Sequence, residues 1–142
     1  MVPWTGAAHT CEEKHRSFWD APAGISGIEG LSPVLLTAVH RGLLTLPRVA
    51  AITSANAART FGLYPRKGVL APGSDADIVV YDPRASHILS ARDMVTKAGY
   101  TPFEGLRTEG GIAKVYLRGS LMVEDGRIVG GPEGQYLRRG LC

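Results

Sequence analysis

The sequence predicts an α+β arrangement, and three observations carry that prediction. Apolar residues recur at helical spacing from about residue 33 to residue 61; β-branched segments bounded by Gly, Asp and Pro dominate beyond residue 68; and the two patterns do not alternate, helices coming first and strands last. With 142 residues, 44% of them hydrophobic and 20% charged, the chain has the composition of a globular domain rather than of a disordered one. Its 18 Gly and 9 Pro imply many turns.

Residues 1–32 read as irregular, with Pro3, Pro22 and several glycines around a polar block from His9 to His15 that makes at most one helical turn. The first long helix is expected where Ser32 caps and Pro33 takes the first helical position, whose amide needs no partner. Leu35, Leu36, Val39 and Leu43 continue its apolar face, and Gly42 stops it. A second helix starts near Thr45 and runs through Val49 and Ile52. Ser54 or Asn56 caps a third over Ala57 to Phe61, which ends at Gly62.

Strands are expected at Val69–Ala71, Ile78–Asp82, Ala113–Arg118, Leu121–Glu124 and Arg127–Val129. Gly73 with Asp75 and Asp77 fits a tight turn before the second of these, whose Ile78, Val79, Val80 and Tyr81 read as a buried strand. Asp125 and Gly126 form a two-residue hairpin signal. Between Ser90 and Gly111 the pattern is ambiguous: Ala91–Ala98 suits a helix, whereas Gly99, Pro102, Gly105, Gly110 and Gly111 demand a loop.

Several function classes are excluded at this level. The net charge of +3 comes from basic residues interleaved with carboxylates, so a nucleic-acid surface is not expected, and Arg138 with Arg139 reads as a solvated tail. No apolar run approaches the roughly 20 residues that span a bilayer, and the start lacks a signal-peptide pattern, so the expected compartment is the cytoplasm. Cys11 and Cys142 form neither a disulfide framework nor a zinc ribbon. Cys11 beside His9 or His15 has the residue types of a nucleophilic pair, but closeness in sequence does not establish one.

Five blocks together resemble the cyclic amidohydrolases: dihydroorotase, allantoinase and hydantoinase. They are AHTCEEK at 8–14, APAGISGIEG at 21–30, SANAARTFGLYPRKG at 54–68 with Ala57 where Pro is usual, KGVLAPGSDADIVVYD at 67–82, and GIAKVYLRG at 111–119. The resemblance implies hydrolysis of the C–N bond of a cyclic amide or ureide, and FGLYPRKG with APAG leans toward the allantoinase and dihydroorotase branch. Because a complete (β/α)8 barrel takes about 250 residues, it implies a C-terminal portion only. Residues 1–65 would supply the last barrel loop and terminal helices, and residues 66–142 the C-terminal strands of a composite β-sandwich. Val69, Ile78, Val80, Val115, Leu117 and Ile128 are then expected to face a layer the chain does not supply.

The same resemblance assigns His9 to holding substrate and Gly24 to a close backbone contact, with a solvated histidine and a plain turn glycine as the alternatives. Asn56 reads as a helix cap rather than a substrate ligand. The family uses one or two zinc ions bound by an HxH pair, often a modified Lys, two later His and an Asp. This sequence has no HxH, and Thr5 and Gly6 stand at the aligned Asp and His positions. His9, His15, His40 and His87 do not rebuild the cluster, so no metal ligand and no catalytic residue is expected in this chain. It reads as an inactive portion that meets a cyclic substrate only when an N-terminal barrel half completes it. The alternative is a non-catalytic subunit of a homo- or hetero-oligomer with another amidohydrolase chain.

Overall fold

The structure is a computed structural model and describes residues 8–138. Thr5, Gly6, Arg139 and Cys142, which entered the sequence argument, lie outside the described residues. Helical elements precede a single antiparallel sheet, so the α+β class holds.

Helix α1 (Cys11–Lys14) is one turn held by a reciprocal cap: Thr10 Oγ1 accepts from the Glu13 amide at 3.3 Å, and Glu13 Oε2 accepts from the Thr10 amide at 2.8 Å. Helix α2 (Ile28–His40) begins a full turn earlier than expected. Ser32 is therefore no cap, and Pro33 sits inside the helix. The early start has a tertiary cause, because Glu29 in the first turn accepts from the Val95 and Thr96 amides, both at 2.9 Å. Gly30 is obligatory on the buried face, since a Cβ there would overlap the Phe103 ring. The helix ends at Gly42, φ +72°, as the Leu43 and Leu44 amides return to the Ala38 carbonyl.

Thr45 caps the next helix through its hydroxyl, which accepts from the Arg48 amide at 3.3 Å. The expected second and third helices are one continuous rod: α3 (Leu46–Ala50), a π turn at Ala51–Ala55, and α4 (Asn56–Thr60). Neither Ser54 nor Asn56 caps anything, because the helix never stops between them. Gly62, φ +66°, terminates it as expected.

The sheet is a meander of β1 (Ile78–Ile88), β2 (Arg107–Leu117), β3 (Ser120–Glu124) and β4 (Arg127–Ile128). Asp125 and Gly126 have φ of +47° and +75°, and Arg118 and Gly119 have +48° and +89°. Both hairpins thus close on two residues in the left-handed region, the twist that suits adjacent antiparallel strands. The expected strand at Val69–Ala71 is absent: these residues bend or turn, and without a neighbouring strand an extended segment has no partner for its amides.

Ala91–Ala98 is also not a helix beyond one 3₁₀ turn at Ala91–Asp93. Glu29 takes the Val95 and Thr96 amides, and Glu104 accepts from the Ser90 hydroxyl at 2.9 Å and the Ala91 amide at 2.7 Å. That backbone bond, with the one from Ser90, holds the Glu104 carboxyl below its usual range.

The core is small. Among the described residues the buried hydrophobic side chains are Leu36, Ala58, Leu89 and Ala98. The stretch Ile78–Tyr81, expected to be buried, is not: Val79 is 59% exposed and Val80 40%, with Ile78 and Tyr81 half-buried. Ile128 is exposed too, whereas Val69, Val115 and Leu117 are half-buried.

Candidate functional site

The loop bearing His9 and the loop bearing Gly24 are joined by Lys14. Its ammonium donates to the Pro22 carbonyl at 2.5 Å and to the Gly24 carbonyl at 2.6 Å, so the last residue of α1 fixes the 21–25 loop. Gly24 has φ +125°, which a side chain would strain. His9 is partly exposed and pairs its Nδ1 with Glu13 Oε2 at 3.5 Å. The Glu13 carboxyl is held below its ordinary value, first of all by the Thr10 amide; burial opposes this, and the Thr10 hydroxyl and His9 add to the lowering.

A cavity of about 150 Å³ lies between these loops, lined by Ala8, Ile25, Ser26, Gly27, Glu29 and Thr96 among others. The structure thus brings together the chain neighbours of His9 and Gly24, although neither residue itself lines the space. Ser26 and Gly27 are buried, and Ser26 Oγ donates to Thr96 Oγ1 at 3.3 Å. The Cys11 amide bonds the Ala98 carbonyl at 3.1 Å, closing the third side with the 94–98 segment. Lys14 and Glu29, the two charged side chains that build this corner, were not singled out in the sequence. No sequence signal pointed to Glu29, because its first-turn position depends on the early start of α2.

The four histidines stay apart in function. His15 Nδ1 lies 2.8 Å from the Cys11 carbonyl and 3.8 Å from its sulfur, on exposed surface. His40 faces Glu109 at 4.0 Å, and His87 faces Asp93 at 3.5 Å. Asn56 is exposed on the continuous helix, neither a cap nor against a pocket wall. No group of three or more His, Cys, Asp or Glu able to hold a metal ion occurs among the described residues. The residues present do not fit a zinc centre, which needs three or four such donors.

A second, larger cavity of about 620 Å³ lies elsewhere, between the π turn (Ala51, Ser54, Ala55) and the Lys67–Leu70 segment. Lys67 Nζ pairs with Asp75 Oδ2 at 2.9 Å and more closely with Asp77 Oδ2, and Arg66 Nε reaches Asp75 Oδ2 at 3.1 Å. Burial works against the Lys67 charge, but its bonds to Asp77 and Asp75 outweigh that and raise it above the usual lysine value. Burial likewise opposes ionisation of Asp77, and Lys67 with the Arg118 amide overcomes it. Asp75 is lowered chiefly by its bond to Lys67. Asp77 accepts from that amide at 2.9 Å, so the cluster ties the first loop of the sheet region to the β2–β3 turn. All its charges are partnered, and it serves as a clamp rather than as an acid–base pair.

Compared with known proteins, residues 20–128 match the profile described as "Amidohydrolase family". D-phenylhydantoinase of Escherichia coli (strain K12 / DH10B) is 40% identical over 124 residues, covering 86% of this chain and 27% of that protein. Among solved structures, a D-hydantoinase superposes with a TM-score of 0.84 at 33% identity, over 92% of this chain and 29% of the other. The D-hydantoinase (dihydropyrimidinase) from Thermus sp. gives 0.81 at 40% identity, over 86% and 28%. The chain therefore spans about a quarter of the length of the curated relatives it matches. These relatives are hydantoinases, so they lend nothing to the leaning toward the allantoinase and dihydroorotase branch.

Proposed function

This chain belongs to the amidohydrolase family, and we propose that it forms the C-terminal part of a cyclic amidohydrolase of the hydantoinase type. In this reading residues 1–65 close a (β/α)8 barrel, and residues 66–142 supply strands to a small β-sandwich. The assembled enzyme hydrolyses a ring C–N bond of a cyclic amide or ureide, in the cytoplasm. The observation that carries the reading is the superposition on a D-hydantoinase over 92% of the chain.

Ring hydrolysis needs an activated water and a polarised carbonyl, which the family's zinc supplies when bound. Its ligands belong, in this reading, to the N-terminal barrel portion, because the residues described here do not assemble them. The work left to this chain is positioning. Gly24 lets backbone approach the ring, Lys14 holds the Gly24 carbonyl in place, and His9, steadied by Glu13, orients the substrate.

Coexpression with the N-terminal barrel portion of a hydantoinase tests this, with hydantoin hydrolysis as the readout. Neither part alone is active, and the complex is active and chelator-sensitive. His9→Ala lowers its turnover by roughly 10- to 100-fold, the scale of a misoriented substrate, with zinc content unchanged. Unchanged kinetics returns His9 to a solvated loop. A stoichiometric complex without activity favours the second reading, a non-catalytic subunit.

A further inference from the structure

Residues 89–106 leave the sheet between β1 and β2 and return to it. The Leu89 amide donates to the Leu106 carbonyl at 2.9 Å and the Gly105 amide to the Leu89 carbonyl at 2.8 Å, so the excursion is closed at its neck. By chain these residues belong to the strand-rich half, but by contact their far end belongs to the candidate site. The Ala98 carbonyl accepts from the Cys11 amide at 3.1 Å and so seats α1. Helix α1 carries Glu13, which pairs with His9, and Lys14, which donates to the Gly24 carbonyl. Ser26 Oγ donates to Thr96 Oγ1, so the loop that follows Gly24 rests on the same segment. These seats are internal: Ala98 is 2% exposed and Ser26 8%.

One side chain determines where the segment stands. Glu29 Oε2 accepts from the Val95 amide and Oε1 from the Thr96 amide, both at 2.9 Å. A carboxylate bonded through both oxygens to consecutive amides fixes orientation as well as distance. Thr96 Oγ1 also accepts from the Ala98 amide at 3.3 Å, which carries the placement on to the Ala98 carbonyl.

We infer that Glu29 is a positioning residue for the candidate site. Through the Val95 and Thr96 amides it sets the 94–98 segment, and through that segment it sets both the loop bearing His9 and the loop bearing Gly24. The inference rests on the hydrolase reading for the substrate those loops hold, but not for the placement itself. Its consequence is that a division of the chain at residues 65 and 66 separates the site's loops from their support, which the strand-rich half supplies.

Glu29→Gln keeps the size of the side chain but leaves one acceptor oxygen and turns an NH2 donor toward an amide. Glu104→Gln is the control, because Glu104 grips the same excursion at its neck, through the Ser90 hydroxyl and the Ala91 amide. Placement is read without activity on the full 142-residue chain. In a Cys11→Ser, Cys142→Ser background, the pair Ser26→Cys, Thr96→Cys is equilibrated with glutathione, and the same pair in urea gives the unfolded reference. Glu29→Gln is expected to lower the effective concentration of the pair by roughly tenfold or more, the scale of one charge-assisted bond, and Glu104→Gln to leave it unchanged. In the complex with the barrel portion, Glu29→Gln is expected to lower kcat by roughly tenfold or more through misorientation. Glu29→Asp, which keeps both oxygens, recovers part of that loss, and Glu104→Gln leaves kcat unchanged. An effective concentration that Glu29→Gln does not alter, one no higher than the urea reference before Glu29 is changed, or equal losses of kcat in the two Gln variants overturns the inference. A complex inactive with Glu29 intact, beside a cysteine pair loosened by Glu29→Gln, removes the hydrolase reading and supports the placement.

Discussion

Replacing Gly68 by Ala separates two costs that usually arrive together. Gly68 has φ +85°, and a Cβ built on it lies 2.6 Å from the Ala58 Cβ and 3.1 Å from the Ala55 Cα. Neither neighbour has a flexible end that can swing away: one is a methyl on a buried helical residue, the other is backbone. Gly73 is the control, with φ +89° and nothing within 4 Å of where an alanine methyl would sit. Both substitutions pay the left-handed backbone cost of about 1–2 kcal/mol, and both gain about 0.4–1 kcal/mol from a less flexible unfolded chain. These contributions cancel in the difference. What remains is overpacking at Gly68 alone, about 1–3 kcal/mol. With a urea slope of about 1.5 kcal/mol/M, the unfolding midpoint of Gly68→Ala falls about 0.7–2 M below that of Gly73→Ala. Far-UV circular dichroism in urea measures this at one fixed protein concentration. Coincident midpoints, or Gly73→Ala as the less stable variant, would refute the packing of the Lys67–Leu70 segment against the helix.

Two further outcomes follow from the charged side chains. Asp75 and Asp77 are lowered in the folded state and Lys67 is raised. The aspartates therefore contribute stability above their unfolded pKa that is lost as pH falls through their lower folded values, and Lys67 contributes stability below its unfolded pKa that is lost as pH rises through its higher folded value. Lys67→Met should flatten both limbs of a stability–pH profile, and an unchanged acid limb would show that the clamp contributes nothing. Lys14→Met removes both bonds to the 21–25 loop, so proteolytic cleavage within that loop should accelerate by roughly tenfold or more, as loss of one charge-assisted bond of about 1.5 kcal/mol implies. Limited proteolysis read by mass spectrometry checks this, and an unchanged cleavage rate there would mean that other contacts hold the loop.

Local chemistry by itself determined the parts of this protein whose causes lie within a few residues. The Asp125–Gly126 hairpin, the helix start near Thr45 and the stops at Gly42 and Gly62 were legible because positive φ and a side-chain oxygen near free amides act within one turn of chain. The family was legible too, since it is written in short blocks such as AHTCEEK and KGVLAPGSDADIVVYD. Of the candidate site, His9 and Gly24 were named from those blocks, but the residues that organise their surroundings were not. Lys14 and Glu29 act on carbonyls and amides up to 67 positions away in the chain, and no periodicity announces such a partner. The tertiary structure alone decided that α2 begins at Ile28, that Ala91–Ala98 surrenders its amides to Glu29 and stays a loop, and that Val69–Ala71 finds no strand to join. It also decided burial. A run such as Ile78–Tyr81 reads the same whether its face is covered or bare, because hydrophobicity records what a side chain favours, and only the placement of neighbouring layers determines whether water is removed from it.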